Sequence, residues 1–165
     1  MSIPLSLYIH LPWCVKKCPY CDFNSHAIKG EVPEKEYINC LLADFKQYLE
    51  DIEGRKINTV FFGGGTPSLF SAEGINTLIS ELTQLGVLHD HCEITLEANP
   101  GTVEQQRFTG FRQAGVNRVS LGVQSFQADK LKALGRIHDD KEAHSAIDAI
   151  KQAGFTNFNI DIMHG

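Results

Sequence analysis

At 165 residues the chain is long enough for one domain with a real core, and its 42% hydrophobic and 21% charged content is ordinary for a globular protein. A net charge of −5 argues against nucleic-acid partners, and no apolar run reaches membrane-spanning length. The start lacks a secretion signal, and the five cysteines are an odd number with three of them clustered, which fits a reducing, cytoplasmic location.

The first strand is expected at residues 5–11, followed by a cysteine-rich loop to about Gly30. Pro33 suits the first position of a helix, with Glu34 and Glu36 favourable in its first turn. A second strand, residues 57–62, runs into Gly63-Gly64-Gly65-Thr66-Pro67-Ser68. The next helix covers about residues 71–85, and Gly86 is placed to end it. A third strand is expected at 93–98, and Thr102 with Gln105 resembles a capping box opening the third helix. A fourth strand at 117–123 precedes helical stretches at 128–134 and 141–152, the second with Asp139 and Glu142 at its start. The fifth strand is about 155–163. Gln113-Ala114-Gly115 before one strand is echoed by Gln152-Ala153-Gly154 before the next. The repeated alternation of strand and helix predicts an α/β fold, a parallel sheet with helices outside and right-handed crossovers.

The strands alternate in polarity, whereas those of a packed (β/α) barrel are nearly continuous apolar runs. Glu93, Thr95, Glu97 and Asn99 share one face of the third strand; Arg118, Ser120, Gly122 and Gln124 share one of the fourth; Asn157, Asn159 and Asp161 share one of the fifth. Ser6, Tyr8 and His10 do so in the first. Helices must cover the apolar face, so the polar face lines the inside of a curved sheet. A polar interior is costly unless something polar fills it. The pattern predicts a wide, open barrel around a polar cofactor. An antiparallel sheet with one wet face also alternates, but the long helical connections favour the parallel form.

Cys14, Cys18 and Cys21 are spaced C-x3-C-x2-C directly after the first strand. Thiolates are soft ligands for iron–sulfur clusters, zinc or copper(I). Three thiolates on a 4Fe–4S cluster leave one iron open to a substrate or second cofactor. A structural zinc would need a fourth ligand, for which His10 or His26 is available. A disulfide fits poorly in a reducing compartment. Cys40 and Cys92 stand alone in apolar surroundings and read as small buried hydrophobes. The histidines show no H-x-x-x-H spacing and build no separate metal site.

The other candidates fall at the carboxyl ends of strands, where parallel α/β folds bind ligands. Gly63, Gly64 and Gly65 let backbone approach a ligand, or simply make a tight turn, and with no lysine following they are not a P-loop. Glu97 and Asp161 could accept hydrogen bonds from an amine or a ribose; each could equally be ion-paired or solvated. Arg136 could pair with a carboxylate or be a surface charge.

Cys14 to Cys21, spaced C-x3-C-x2-C and followed by an aromatic residue, resembles the signature of the radical S-adenosylmethionine (AdoMet) superfamily. Six further blocks narrow the likeness: Tyr8-Ile9-His10-Leu11-Pro12-Trp13, Phe62-Gly63-Gly64-Gly65-Thr66-Pro67-Ser68, Glu97-Ala98-Asn99-Pro100, residues 118–126, Gly135-Arg136-Ile137-His138 and residues 159–165. In this order they resemble oxygen-independent coproporphyrinogen III oxidase and its relatives. The resemblance implies an open, partial TIM-like (β/α) barrel of the radical AdoMet type, one core domain over residues 1–165 ending after about the fifth strand. It implies a 4Fe–4S cluster on Cys14, Cys18 and Cys21, whose open iron chelates AdoMet and whose electron cleaves it to a 5′-deoxyadenosyl radical. Tyr8, Gly64 and Glu97 are implied to contact AdoMet. Tyr20, Gly65, Thr66, Gln124, Arg136 and Asp161 match positions that contact AdoMet, in the oxidase a second molecule of it.

One residue separates the subfamilies. The oxidase pattern continues C-x3-C-x2-C-x-C, and here the last place is Phe23. This is the pattern of HemW-type heme chaperones, which bind heme and pass it to acceptor proteins such as respiratory enzymes. The implied partners are heme, its acceptors (with peripheral membrane association through them) and an electron donor such as flavodoxin or ferredoxin. The alternatives are a true oxidase and a zinc-stabilised binding module. The subfamily's H-N-x-x-Y-W heme motif does not occur in this chain, so the resemblance implies an N-terminal portion.

Overall fold

The computed structural model describes residues 3–100 and 105–164. In chain order the elements are β1 (Leu5–Leu11), β2 (Trp13–Cys14), β3 (His26–Ala27), α1 (Glu34–Gln47), β4 (Ile57–Gly64), a 3-10 turn (Pro67–Leu69), α2 (Ala72–Gln84), β5 (Leu88–Ala98), α3 (Gln105–Gln113), β6 (Arg118–Gln124), α4 (Ala128–Ala133), α5 (Asp140–Gln152) and β7 (Phe158–Ile162). Five strands form one sheet in the order β1-β4-β5-β6-β7, every pair parallel. The expected parallel α/β architecture, an open partial barrel, is what the chain adopts.

The alternation decides which face goes where. Ile9, Leu11, Val60, Phe62, Ile94, Leu96, Val119 and Leu121 point outward and are buried, with Ile75, Leu78, Leu82, Phe108, Phe111 and Ile150 from the helices in the same core. Non-directional burial of this apolar face is the main favourable term in folding.

The inner face satisfies itself with polar side chains. In register, Thr95 stands beside Arg118, Glu97 beside Ser120, Ser120 beside Asn159 and Gly122 beside Asp161. Arg118 donates to Thr95 Oγ1 at 3.2 Å and to Asn159 Oδ1. Asn159 Nδ2 donates to Ser120 Oγ at 2.9 Å and Asp161 Oδ1 at 2.8 Å, and Ser120 Oγ donates to Asp161 Oδ2 at 3.0 Å. The polar lining is thus a connected network, as buried polar groups require.

Several expectations need correction. Helix α1 begins at Glu34 with Pro33 as its N-cap. Strand β4 runs on to Gly64 because Leu11 pairs with it, and β5 starts earlier, at Leu88, opposite Ile57. Strand β7 is shorter than expected, Phe158–Ile162. Cys92 is buried, but Cys40 is exposed: the inward stripe of α1 is Ile38, Leu41, Leu42 and Phe45, and Cys40 falls off it. The Thr102–Gln105 capping box lies outside the described residues.

Candidate active site

Strand β1 hands the chain to the cysteine loop, and the short pair β2–β3 closes that loop, with Trp13 beside His26 and Cys14 beside Ala27. His26 N–H donates to Pro12 C=O at 2.8 Å and Ile28 N–H to Cys14 C=O at 2.9 Å. The glycine turn after β4 is fastened to the same loop: Gly65 N–H donates to Leu11 C=O at 2.9 Å and Thr66 N–H to Trp13 C=O at 2.7 Å. A Cβ at Gly65 would lie 2.5 Å from Trp13 O. Here glycine lets two backbones touch.

The loop and the strand ends line an open cleft. Cys14, Cys18 and Cys21 line it, with Tyr20, Gly64, Gly65, Thr66, Glu97, Gln124, Arg136 and Asp161. All the sequence-predicted site residues but Tyr8 therefore meet in one place. Tyr8 stands on the inner face of β1, outside the lining, its ring stacked on Phe61 and its hydroxyl 3.0 Å from His10 Nδ1. Burial and the nearby Glu97 raise its pKa.

Opposite charges sit at different points of the cleft. Glu97 accepts from Gly64 N–H at 3.2 Å. Burial pushes its carboxyl above the usual range, the Gly64 bond opposes that, and Asp161 adds to it. A buried, partly repelled carboxylate is stabilised by a cation or a hydrogen-bond donor. Arg136 lies near the cysteines, with Nη1 3.7 Å from Cys18 Sγ and Nη2 donating to Asn99 Oδ1 and Gly122 C=O. Its Nε–H is buried without a partner, while Arg136 itself lines the cleft. The Tyr20 pKa is raised by burial, and the adjacent Arg136 works against that.

Sequence reasoning missed three residues. Asn99 joins Arg136 to the glycine turn, its Nδ2 donating to Thr66 Oγ1 at 3.0 Å; the alternation had placed it on the inner face without a role. His10 binds Asn24 C=O through Nε2 at 2.8 Å and packs on Gly64. His138 is buried with Nε2 3.1 Å from Val123 O. No sequence pattern marks the contacts of the last two, because each partner is a backbone carbonyl 14 or 15 residues away.

The donor set suits the implied group. All three cysteines are free thiols on one cleft. A cluster spreads its thiolates over separate irons, whereas zinc gathers its donors about one point. Among the described residues no three His, Cys, Asp or Glu side chains gather in that way, and His10 Nε2 is already occupied. The zinc alternative is not favoured. Among the described residues no helix is long and apolar enough to cross a membrane.

Comparison with known proteins gives a concordant result. The heme chaperone HemW of Haemophilus influenzae is 56% identical over 98% of this chain, and that of Escherichia coli 54% identical over 98%. The chain spans 43% of the length of each. Among solved structures, coproporphyrinogen III oxidase (HemN) of Escherichia coli, a radical SAM enzyme, superimposes with a TM-score of 0.87 at 29% identity, over 98% of this chain and 37% of that one. Residues 8–165 match the radical SAM superfamily, and the chain belongs to that superfamily, whose members use a 4Fe–4S cluster and AdoMet.

Proposed function

We propose that this chain is the cluster- and AdoMet-binding core of a heme chaperone. The observation that carries the reading is the convergence of three thiols, two carboxylates and one guanidinium on a single cleft at the carboxyl ends of parallel strands. Cys14, Cys18 and Cys21 would hold three irons of the cluster. Glu97, with Gly64 beside it, would accept from the amino group of AdoMet, and the Arg136 guanidinium, on the cleft lining, would meet its carboxylate. Tyr20, Gly65, Thr66, Gln124 and Asp161 would line the rest of the ligand, and Tyr8 would approach it from the inner face of β1. Reduced cluster with bound AdoMet supplies one-electron cleavage to a 5′-deoxyadenosyl radical. The residues here bind, orient and enclose; none of them is assigned a proton transfer.

The chaperone reading over the oxidase one is supported by the 54–56% identity to proteins named heme chaperones and by Phe23, exposed on the cleft where the oxidase pattern has cysteine. Heme would be cargo, passed to acceptor proteins; a flavodoxin or ferredoxin would supply electrons, and the membrane would be met only through acceptors. The test uses the full-length protein with its cluster loaded. It is expected to bind heme and transfer it to an apo-acceptor, and to leave coproporphyrinogen III unchanged. Decarboxylation of coproporphyrinogen III would contradict the reading and favour the oxidase.

A further inference from the structure

Gln124 has φ 69, a left-handed value that, among the described non-glycine residues, only Glu53 shares. Ser125 N–H donates back to Val123 C=O at 2.9 Å, so residues 123–125 form a γ-turn centred on Gln124. Such a turn with positive φ is strained, and it persists only where surrounding structure enforces it. Gln124 lines the cleft.

Three successive carbonyls fix this turn from outside. Gly122 C=O accepts from Arg136 Nη2, Val123 C=O from His138 Nε2 at 3.1 Å, and Gln124 C=O from Met163 N–H at 3.0 Å. Two of the three donors belong to residues 135–138, between α4 and α5. The same segment touches the cysteine loop: a Cβ at Gly135 (φ 70) would lie 2.7 Å from Pro19 Cδ, and Arg136 Nη1 is 3.7 Å from Cys18 Sγ. Residues 135–138 thus strap the cysteine loop to the strained turn.

His138 is the part of the strap that touches no cleft. It is 5% exposed and absent from the lining. Because a carbonyl only accepts, Nε2 must carry the proton, and the buried Nδ1 has no partner. An unpaired buried nitrogen costs free energy that an apolar residue of similar size would not incur. Burial, and then Arg136, lower its pKa, which keeps the ring neutral.

We propose that His138 is a positioning residue: its Nε2–H, held to the Val123 carbonyl, fixes Gln124 in the left-handed turn that presents it to the cleft. AdoMet binding then depends on a histidine that never touches the ligand. This rests on the assignment of the cleft to AdoMet.

The test measures the AdoMet dissociation constant of the full-length, cluster-loaded protein as wild type, His138→Leu, His138→Gln and Gln124→Ala. His138→Leu is expected to weaken AdoMet about tenfold, which corresponds to about 1.4 kcal/mol, at unchanged iron and sulfide content. His138→Gln retains an N–H that reaches the carbonyl and is expected to stay within about twofold of wild type. In a Gln124→Gly background, where the turn carries no strain, His138→Leu is expected to have no further effect. Wild-type affinity in His138→Leu, equal losses in the leucine and glutamine variants, or an undiminished loss in the glycine background would each overturn the proposal. Should the leucine variant not fold, His138→Gln decides alone: near-wild-type affinity supports the proposal and a tenfold loss overturns it. Unchanged affinity in Gln124→Ala would instead remove the placement of AdoMet against Gln124, and this proposal with it. A weakened Gln124→Ala beside an unaffected His138→Leu removes only the role of His138.

Discussion

Glu97 shows how much one residue's surroundings decide. Its carboxyl is raised above 4.5 chiefly by burial. A raised folded pKa gives a contribution to stability that is complete below the unfolded value and lost as pH climbs through the folded one. The ligand-free protein is therefore expected to lose stability as pH rises from 4.5 through that range. A cationic ligand reverses the sign of the preference. If Glu97 accepts from the AdoMet amino group, the ligand favours ionised Glu97, the carboxyl gives up its proton on binding, and affinity rises with pH over the same interval. Calorimetry in buffers of different ionisation enthalpy measures that proton. Glu97→Gln is expected to release one proton fewer and to show a shallower pH dependence over that interval; the same slope in the variant would contradict the role. The cysteines and Glu97 were legible because spacing and strand alternation carry their meaning. Asn99, His10 and His138 were not, because their partners are brought close only by folding.

At the scale of elements, local chemistry agrees with the fold where the sequence spells it out. Asp139 caps α5: its carboxylate accepts from Glu142 N–H at 2.8 Å while Glu142 accepts from Asp139 N–H at 2.9 Å. Asp139→Ala is expected to cost about 1 kcal/mol, within the usual range for a lost N-cap, read as a lower denaturant midpoint at constant slope. An unchanged midpoint would mean the box adds nothing to the pairing already in the strap. Other elements escaped the sequence. The β2–β3 pair has two residues in each strand, too few for a periodicity to register. Glu34 suits the first turn of its own helix, yet its carboxylate accepts from Ser71 N–H at 2.9 Å, and from the Ser71 hydroxyl, across to α2. That hydroxyl also caps Gly74 N–H at 2.9 Å, so one carboxylate joins two helix starts. Cys40 has apolar neighbours in sequence, but its angular position on α1 puts it off the inward stripe.

The whole molecule is a curved parallel sheet with an apolar convex face under helices and a polar concave face that ends in the cleft. The polar interior was legible in the alternation, and the structure adds that Arg118, Asn159, Ser120 and Asp161 satisfy one another there. Beyond that network, Glu97 and Arg136 lie with the cysteines on the cleft lining, which is the proposed place for a ligand. The central claim is that this rim holds a cluster with one open iron and AdoMet upon it. Anaerobic reconstitution of the full-length protein, followed by electron paramagnetic resonance of the reduced form with and without AdoMet, tests it most directly. A reduced 4Fe–4S signal that changes when AdoMet is added, and is lost in Cys18→Ala, is the expected result. A protein that takes up no iron and sulfide, or a signal indifferent to AdoMet, would contradict it.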